Sequence, residues 1–353
     1  MPKPYRFIIV GTGGMGASWC RGTMPRLQDM GKAKAVAAMD INPDMLVHAR
    51  EGLGLPPEKC YTDMKKAFAE NPADFAIVVT PPAFHEDVVN MALDHDMHIL
   101  SEKPITDKIE STCRIYKRVK AAGKKMAVTL SHRFDQDKQS LEREIKSGKY
   151  GPVNYVVCRF THNCRKFASW GKFRHEIPDP LLIEGTVHHF DILRALTGGD
   201  AKTVYALTWN PPWGEFAGDS TGLIVIDMLN GTRAMYEGAK ANASTYNGWG
   251  QEYFRAECEH ATLELDHRWL RILRGGGWDK PLAEDLPLQQ QPVWRNEWIA
   301  EMFCDWLDGG PAPACHLDDE IQCHALLFAA IESAHTGKPV DVQAFLKAHL
   351  AKA

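Results

Sequence analysis

The chain has 353 residues, more than the roughly 250–300 at which one hydrophobic core stops growing, so two domains are expected. Its composition, 44% hydrophobic and 24% charged, excludes a disordered or collagen-like chain, and no apolar run approaches the ~18 residues of a spanning helix. With a formal net charge of −4, the chain has no global positive field to gather nucleic acid or anionic lipid.

The first apolar run, 7–10, follows Met1-Pro2-Lys3-Pro4 directly. It is shorter than the roughly 7–15 apolar residues of a secretory leader, so a cytoplasmic protein is expected. Further strand-like runs fall at 35–39, 75–79 and 98–100, and helix-compatible stretches near 14–30, 43–53, 63–70, 84–96 and 106–121. Strands alternating with helices predict βαβ units and a doubly wound parallel sheet, a Rossmann-type α/β domain over 1–125 that a strand at 126–130 completes.

Gly11-Thr12-Gly13-Gly14-Met15-Gly16 fits G-x-G-x-x-G between the first strand and the first helix. The first glycine makes a tight turn, the second lets the backbone approach a pyrophosphate, and the third permits close helix–sheet packing. The free N–H groups of the helix start then meet phosphate charge. Asp40 ends the second strand, where an acid takes the ribose hydroxyls and repels a 2′-phosphate. Ile41 and Asn42 follow it, with no arginine adjacent, so NAD is preferred over NADP. A P-loop is excluded, since the lysines after Gly148 and Gly337 lack the upstream glycine and the following Ser or Thr.

After Gly151 the pattern changes. Strands are expected at 153–160, 203–208, 223–228, 232–238, 253–258, 261–265 and 269–273, with Asn230-Gly231, Glu259-His260 and Asp266-His267 as turns. Such short connections predict a large open antiparallel sheet, interrupted by a helix at 186–196. Helices near 294–308, 317–335 and 341–351 end the chain. The second domain is therefore drawn as 131–353, with its last helices as candidates to pack back on the first. The composition shift itself centres on Ser147-Gly148-Lys149-Tyr150-Gly151-Pro152. Nine scattered cysteines without a C-x-x-C pair read as reduced thiols rather than a zinc site or a disulfide framework. His316-Leu317-Asp318-Asp319-Glu320 reads as acidic enrichment at a helix start, and no metal is expected.

Four more motifs join the glycine turn: Thr80-Pro81-Pro82-Ala83-Phe84-His85, Ser101-Glu102-Lys103-Pro104, Glu184-Gly185-Thr186-Val187-His188-His189-Phe190-Asp191, and Ser333-Ala334-His335-Thr336-Gly337-Lys338-Pro339-Val340. In this order they resemble the glucose–fructose oxidoreductase / inositol dehydrogenase / rhizopine-catabolism family over nearly the whole chain. The resemblance implies a Rossmann domain followed by an α/β domain whose open sheet serves homo-oligomers, dimers or tetramers. It implies an NAD(P)-dependent oxidoreductase acting on a hydroxyl-bearing carbon of a sugar or cyclic polyol. It also implies a catalytic Lys103, with Glu102 near the nicotinamide ribose.

Lys103 stands at the carboxyl end of a parallel strand, where ligands of open α/β sheets bind, and its ammonium can stabilise a developing alkoxide. Glu184, His188 and Asp191, spaced i, i+4, i+7, are expected to share a helix face. An imidazole suits removal of the hydroxyl proton, and a carboxylate one turn away can orient it. The resembling family has Asp where this chain has Glu184 and Gly where it has Thr186. His189 is expected to point elsewhere. Cofactor candidates are thus Gly11, Thr12, Gly13, Gly14, Met15, Gly16, Asp40, Thr80, Pro81, His85, Glu102 and Lys103. Substrate candidates are Lys103, Trp170, Arg174, His175, Glu184 and His188, because aromatic and polar groups together suit a sugar ring. Trp209, Trp213 and Trp249 are candidates for the pocket or an interface. Two rival functions remain at this stage: an NAD-dependent glycoside hydrolase working by a transient redox cycle, and a non-catalytic NAD or metabolite sensor.

Overall fold

The computed structural model describes residues 3–353. The chain divides into two units. One holds the described residues up to Ser131 together with Val293–Ile321 and His349–Ala353, and the other holds His132–Pro292 and Gln322–Ala348.

In the first unit the strands are β1 (Tyr5–Val10), β2 (Ala33–Met39), β3 (Cys60–Tyr61), β4 (Phe75–Val78), β5 (His98–Ser101) and β6 (Met126–Val128). Among the described residues they form a six-stranded sheet in the order β3-β2-β1-β4-β5-β6, every pair parallel. The strand order reverses beside β1, so the carboxyl ends of β1 and β4 flank the crevice where such sheets take ligands. β1 from Phe7 onward and all of β4 are buried, as continuous apolar strands covered on both faces must be. Ile8, Val10, Val78, Ile99 and Val128 pack there with Val88 and Val89 of helix His85–Asp94 and Ile115 and Val119 of helix Ile109–Ala121. Each such side chain contributes about 1.5–3 kcal/mol over its exposed state.

The stretch expected as one helix near 14–30 has three parts: Met15–Ser18, a π-turn at Trp19–Thr23, and Met24–Asp29. Pro25 supplies the reason. It has no N–H for the carbonyl one turn back, so the ladder widens before it.

The second unit contains β7 (Val153–Thr161), β8 (Ala201–Trp209), β9 (Thr221–Met228), β10 (Arg233–Ala239), β11 (Tyr253–Cys258), β12 (Thr262–Asp266), β13 (Trp269–Arg274), β14 (Leu282–Leu286) and β15 (Val340–Asp341). Among the described residues these make a nine-stranded sheet ordered β14-β13-β12-β11-β7-β10-β9-β8-β15. The antiparallel expectation needs one correction, because β7 and β10 pair in parallel at the centre. Short turns dictate antiparallel pairing only for consecutive strands, and these two are separated by β8, β9 and two α-helices.

The sheet is one-sided. On β9, Ile224, Ile226 and Met228 are buried while Leu223 and Val225 are about half exposed, at 49% and 52%. Leu207, Trp209 and Met235 are exposed as well. Helix Gln136–Lys146 escaped the sequence reading because it has no apolar stripe, and its buried residues include Asp137, Lys138, Glu142 and Glu144. β3 and β15 are two residues each, and β14 is exposed along nearly its whole length, so neither periodicity nor hydropathy marks them. All nine cysteines are free thiols.

Candidate active site

The glycine turn leaves β1 at Gly11, whose φ of +90° and close neighbours admit no side chain. A Cβ there would lie 2.5 Å from the Val79 carbonyl oxygen. At Gly16 a Cβ would meet the Gly11 oxygen at 2.2 Å, so the helix start can press onto the strand end only with glycine. Gly14 has φ +50° and open space around it, and Gly14 and Met15 are exposed at the helix start. This is a cradle that a phosphate can approach and a Cβ would fill, and the residues fit a dinucleotide. Asp40 braces the turn from the end of β2. Its Oδ2 accepts from the amides of Thr12 at 2.7 Å and Gly13 at 3.2 Å, and its Oδ1 accepts from the Asn42 amide at 2.9 Å. It shapes the phosphate turn as well as offering a carboxylate beside it.

Two loops at the carboxyl ends of β4 and β5 are tied by His85. The buried ring sets Nε2 2.8 Å from the Thr80 carbonyl and Nδ1 2.9 Å from that of Pro104. Burial lowers its pKa against the pull of these carbonyls. His85 therefore holds in place the segment that carries Thr80 and Pro81 and the one that carries Lys103. Glu102 is buried, and its Oε1 accepts from Trp19 Nε1 at 2.8 Å and from Asn296 Nδ2 at 3.4 Å. Burial raises its pKa, with the Trp19 bond and Lys103 opposing. Lys103 follows it, half-buried, at the end of β5.

In the second unit, Glu184 lies on a π-turn, Leu182–Thr186, that runs into helix Val187–Thr197. The structure gives Glu184 Oε2 to Arg174 Nε at 2.9 Å, a charge-assisted bond to a nearly buried carboxylate. Arg174 also covers the rings of Trp170 and Phe173, at 5.2 and 4.5 Å. Asp191 accepts from Arg133 Nη1 at 3.1 Å. Glu184 thus stands on the π-turn, four residues before His188, and the α-helix that carries His188 and Asp191 continues directly from it. His188 packs on His132, ring centroids 4.4 Å apart, and on the edge of Trp249 at 5.7 Å. His189 points elsewhere, its Nδ1 3.1 Å from the Tyr236 hydroxyl. His175 is buried, stacked on Phe216 at 4.1 Å with Nδ1 2.9 Å from the Glu215 carbonyl. Its ring supports the Arg174 helix, Lys172–Glu176, from within.

Sequence reasoning missed His132, Glu252, Lys138 and Lys240. Buried Lys240 places Nζ 3.7 Å from the Trp170 ring centroid, 4.1 Å from Phe160 and 4.3 Å from Trp249. Trp249 thereby joins this cluster, whereas Trp209 lies on the outer sheet face and exposed Trp213 donates to the Ala241 carbonyl at 2.9 Å. No periodic signal marks such residues.

The fold and the glycine cradle define a two-unit oxidoreductase with a nicotinamide-dinucleotide domain. Residues 5–130 match the NAD-binding Rossmann fold of the Gfo/Idh/MocA oxidoreductase family, and residues 142–342 match that family's C-terminal alpha/beta domain. The chain belongs to this family of NAD(P)-dependent oxidoreductases. It is 41% identical over 352 residues to an uncharacterised protein, y4oX, of Sinorhizobium fredii, covering 98% of each chain. It is 31% identical over 199 residues to inositol 2-dehydrogenase of Renibacterium salmoninarum, covering 56% of each. Among solved structures, an oxidoreductase of Agrobacterium radiobacter in complex with NAD+, L-tartaric acid and magnesium superposes with TM-score 0.83 at 20% identity, covering 96% of this chain and 99% of that one. Aldose-aldose oxidoreductase of Caulobacter crescentus, complexed with glycerol, gives 0.80 at 18%, covering 96% and 99%. These two likenesses establish the fold. Among the described residues, no helix is long and apolar enough to cross a membrane.

Proposed function

We propose that the chain is an NAD-dependent dehydrogenase acting on a hydroxyl-bearing carbon of a sugar or cyclic polyol. The observation that carries the reading is the glycine cradle braced by Asp40, in a chain that also keeps Lys103 at the end of β5 and His188 beside the aromatic cluster. The family and the sugar- and inositol-active proteins it resembles support the substrate class.

Gly11 to Gly16 and Asp40 would hold the dinucleotide, with Thr80, Pro81 and Glu102 beside its nicotinamide half. Asp40 favours free ribose hydroxyls over a 2′-phosphate, so NAD is preferred to NADP. Bound NAD supplies the hydride acceptor in oxidation and, once reduced, the donor in the reverse direction. His188 takes the hydroxyl proton as the O–H bond breaks. Lys103 stabilises the alkoxide oxygen. Trp170 offers an apolar ring face, and Arg174 and Glu184 offer hydrogen-bonding groups to a polyol.

The test is NADH formation by the purified full chain with NAD or NADP and a panel of inositols, aldoses, glycosides and sugar acids. NADH with at least one member is expected. Sugar released from a glycoside without NADH accumulation would replace the reading with the redox-cycling hydrolase, and NAD binding with no turnover of any kind would favour the sensor.

The outer sheet face, with Leu207, Trp209, Leu223, Val225 and Met235 exposed, is the surface we assign to a second copy of this chain. The free thiols support a reducing, cytoplasmic setting.

A further inference from the structure

Helix Gln136–Lys146 buries charge where an amphipathic helix would bury an apolar stripe. Lys138 Nζ lies 2.7 Å from Glu252 Oε2, 3.2 Å from Asp137 Oδ2 and 3.9 Å from Asp135 Oδ2. The Arg268 guanidinium stands 3.8 Å from both aspartates. Asp135, Asp137 and Glu252 thus gather around Lys138, and Glu252 turns its second oxygen toward two imidazoles. There Glu252 Oε1 faces His132 Nδ1 at 3.3 Å and His189 Nε2 at 3.8 Å.

Glu252 is fully buried. Burial raises its pKa, yet Lys138, His132 and His189 outweigh that and hold it well below the usual carboxylate range. A buried ion network of this kind is not a source of stability in itself, because desolvation offsets much of the attraction. Its placement suggests another use. His132 packs face-near on His188 at 4.4 Å, with ring planes 46° apart, and Trp249 closes the edges of both rings at 4.8 and 5.7 Å. A carboxylate on His132 Nδ1 selects the Nδ1–H tautomer, fixes the ring plane and makes the ring electron-rich. That ring is one wall of the space in which His188 sits.

His189 shares the same carboxylate but is uncharged at neutral pH. Burial pushes its pKa down to about 4. Its Nε2 lies 3.8 Å from Glu252 Oε1, and its Nδ1 lies 3.1 Å from the Tyr236 hydroxyl. The other charged or titratable groups around the cluster are Asp191 paired with Arg133, Glu142 beside Arg133 at 3.7 Å, the Cys158 thiol pushed up by burial, and Lys240, whose charge opposes protonation of His189.

We propose that Glu252 is a positioning residue for His188, acting through His132. Anchored by Lys138, it holds the His132 ring against His188 and raises the proton affinity of the imidazole that receives the hydroxyl proton. The proposal rests on the reading of His188 as the base. When the substrate O–H bond breaks, the proton goes to His188, and the resulting imidazolium is stabilised by the negative charge across His132. No electrons move through the network.

The test needs no substrate. Histidine side chains of the full chain are followed by NMR through a pH titration, with the His188 signal assigned by its loss in His188→Asn. Glu252→Gln keeps the shape and removes the charge. Its His188 midpoint is expected to fall by about one pH unit, with Glu252→Asp recovering part of the shift. A folded Glu252→Gln protein with an unchanged His188 midpoint would overturn the proposal. Should that variant fail to fold, His132→Phe leaves Lys138 and Glu252 paired and keeps a ring on His188 while cutting the link. A similar fall in midpoint supports the proposal and an unchanged midpoint overturns it. With a panel substrate that gives NADH, Glu252→Gln should lower kcat about tenfold at an unchanged KM for NAD+ and move the acid limb of kcat/KM to lower pH. A panel that yields no NADH would sink the dehydrogenase reading and leave the titration to decide this one.

Discussion

The indole of Trp19 donates to the buried carboxylate of Glu102 at 2.8 Å, tying the π-turn after the glycine cradle to the residue before Lys103. Burial raises the Glu102 pKa above its unfolded value, and the Trp19 bond opposes that rise. A carboxyl with a raised folded pKa favours folding most when protonated, and that contribution is lost as pH rises through the folded value. Trp19→Phe removes a bond to the ionised form, so its destabilisation should grow with pH. About 2 kcal/mol is expected at neutral pH, and less at an acidic pH low enough that the carboxyl holds its proton. Thermal unfolding at both pH values checks the sign, and an equal loss at each would show that only packing was removed.

Gly16→Ala places a methyl group on the Gly11 carbonyl, against backbone that cannot retreat without moving the whole turn. NAD affinity by calorimetry should fall about 100-fold or more, while the second unit's near-ultraviolet circular dichroism stays in place. Binding that survives intact would remove the glycine cradle from the cofactor assignment.

Lys103→Ala should lower kcat by about 10²–10³-fold with a panel substrate, the scale of losing one stabiliser of a developing oxyanion. NAD affinity should change little, because the cradle and Asp40 are untouched. Turnover near the parent value would contradict the assigned role.

Val225→Glu sets a charge on the outer face of the large sheet, at a side chain 52% exposed among apolar neighbours. The mass from light scattering should drop from that of an oligomer to that of one chain, with the thermal midpoint of each unit retained. A mass that does not respond would place any oligomer interface elsewhere.

The sequence determined much of the first unit because its signals are local. Apolar runs buried on both faces, glycines required by close backbone approach, and an acid at the end of the second strand leave their mark within a few residues of one another. The position of Lys103 just past a parallel strand was legible too, because the apolar run of β5 ends shortly before it.

The tertiary structure alone decided who meets whom among the polar groups. The Lys172–Glu176 helix brings Arg174 to Glu184, a partner ten residues away that no helical spacing announces. His132 and Lys138 reach Glu252 across 120 and 114 residues. The parallel pairing of β7 with β10 likewise joins strands that are distant in the chain. Such contacts arise from the packing of whole elements, and one polar residue placed by long-range packing carries no period, no cap and no turn that the linear chain could display.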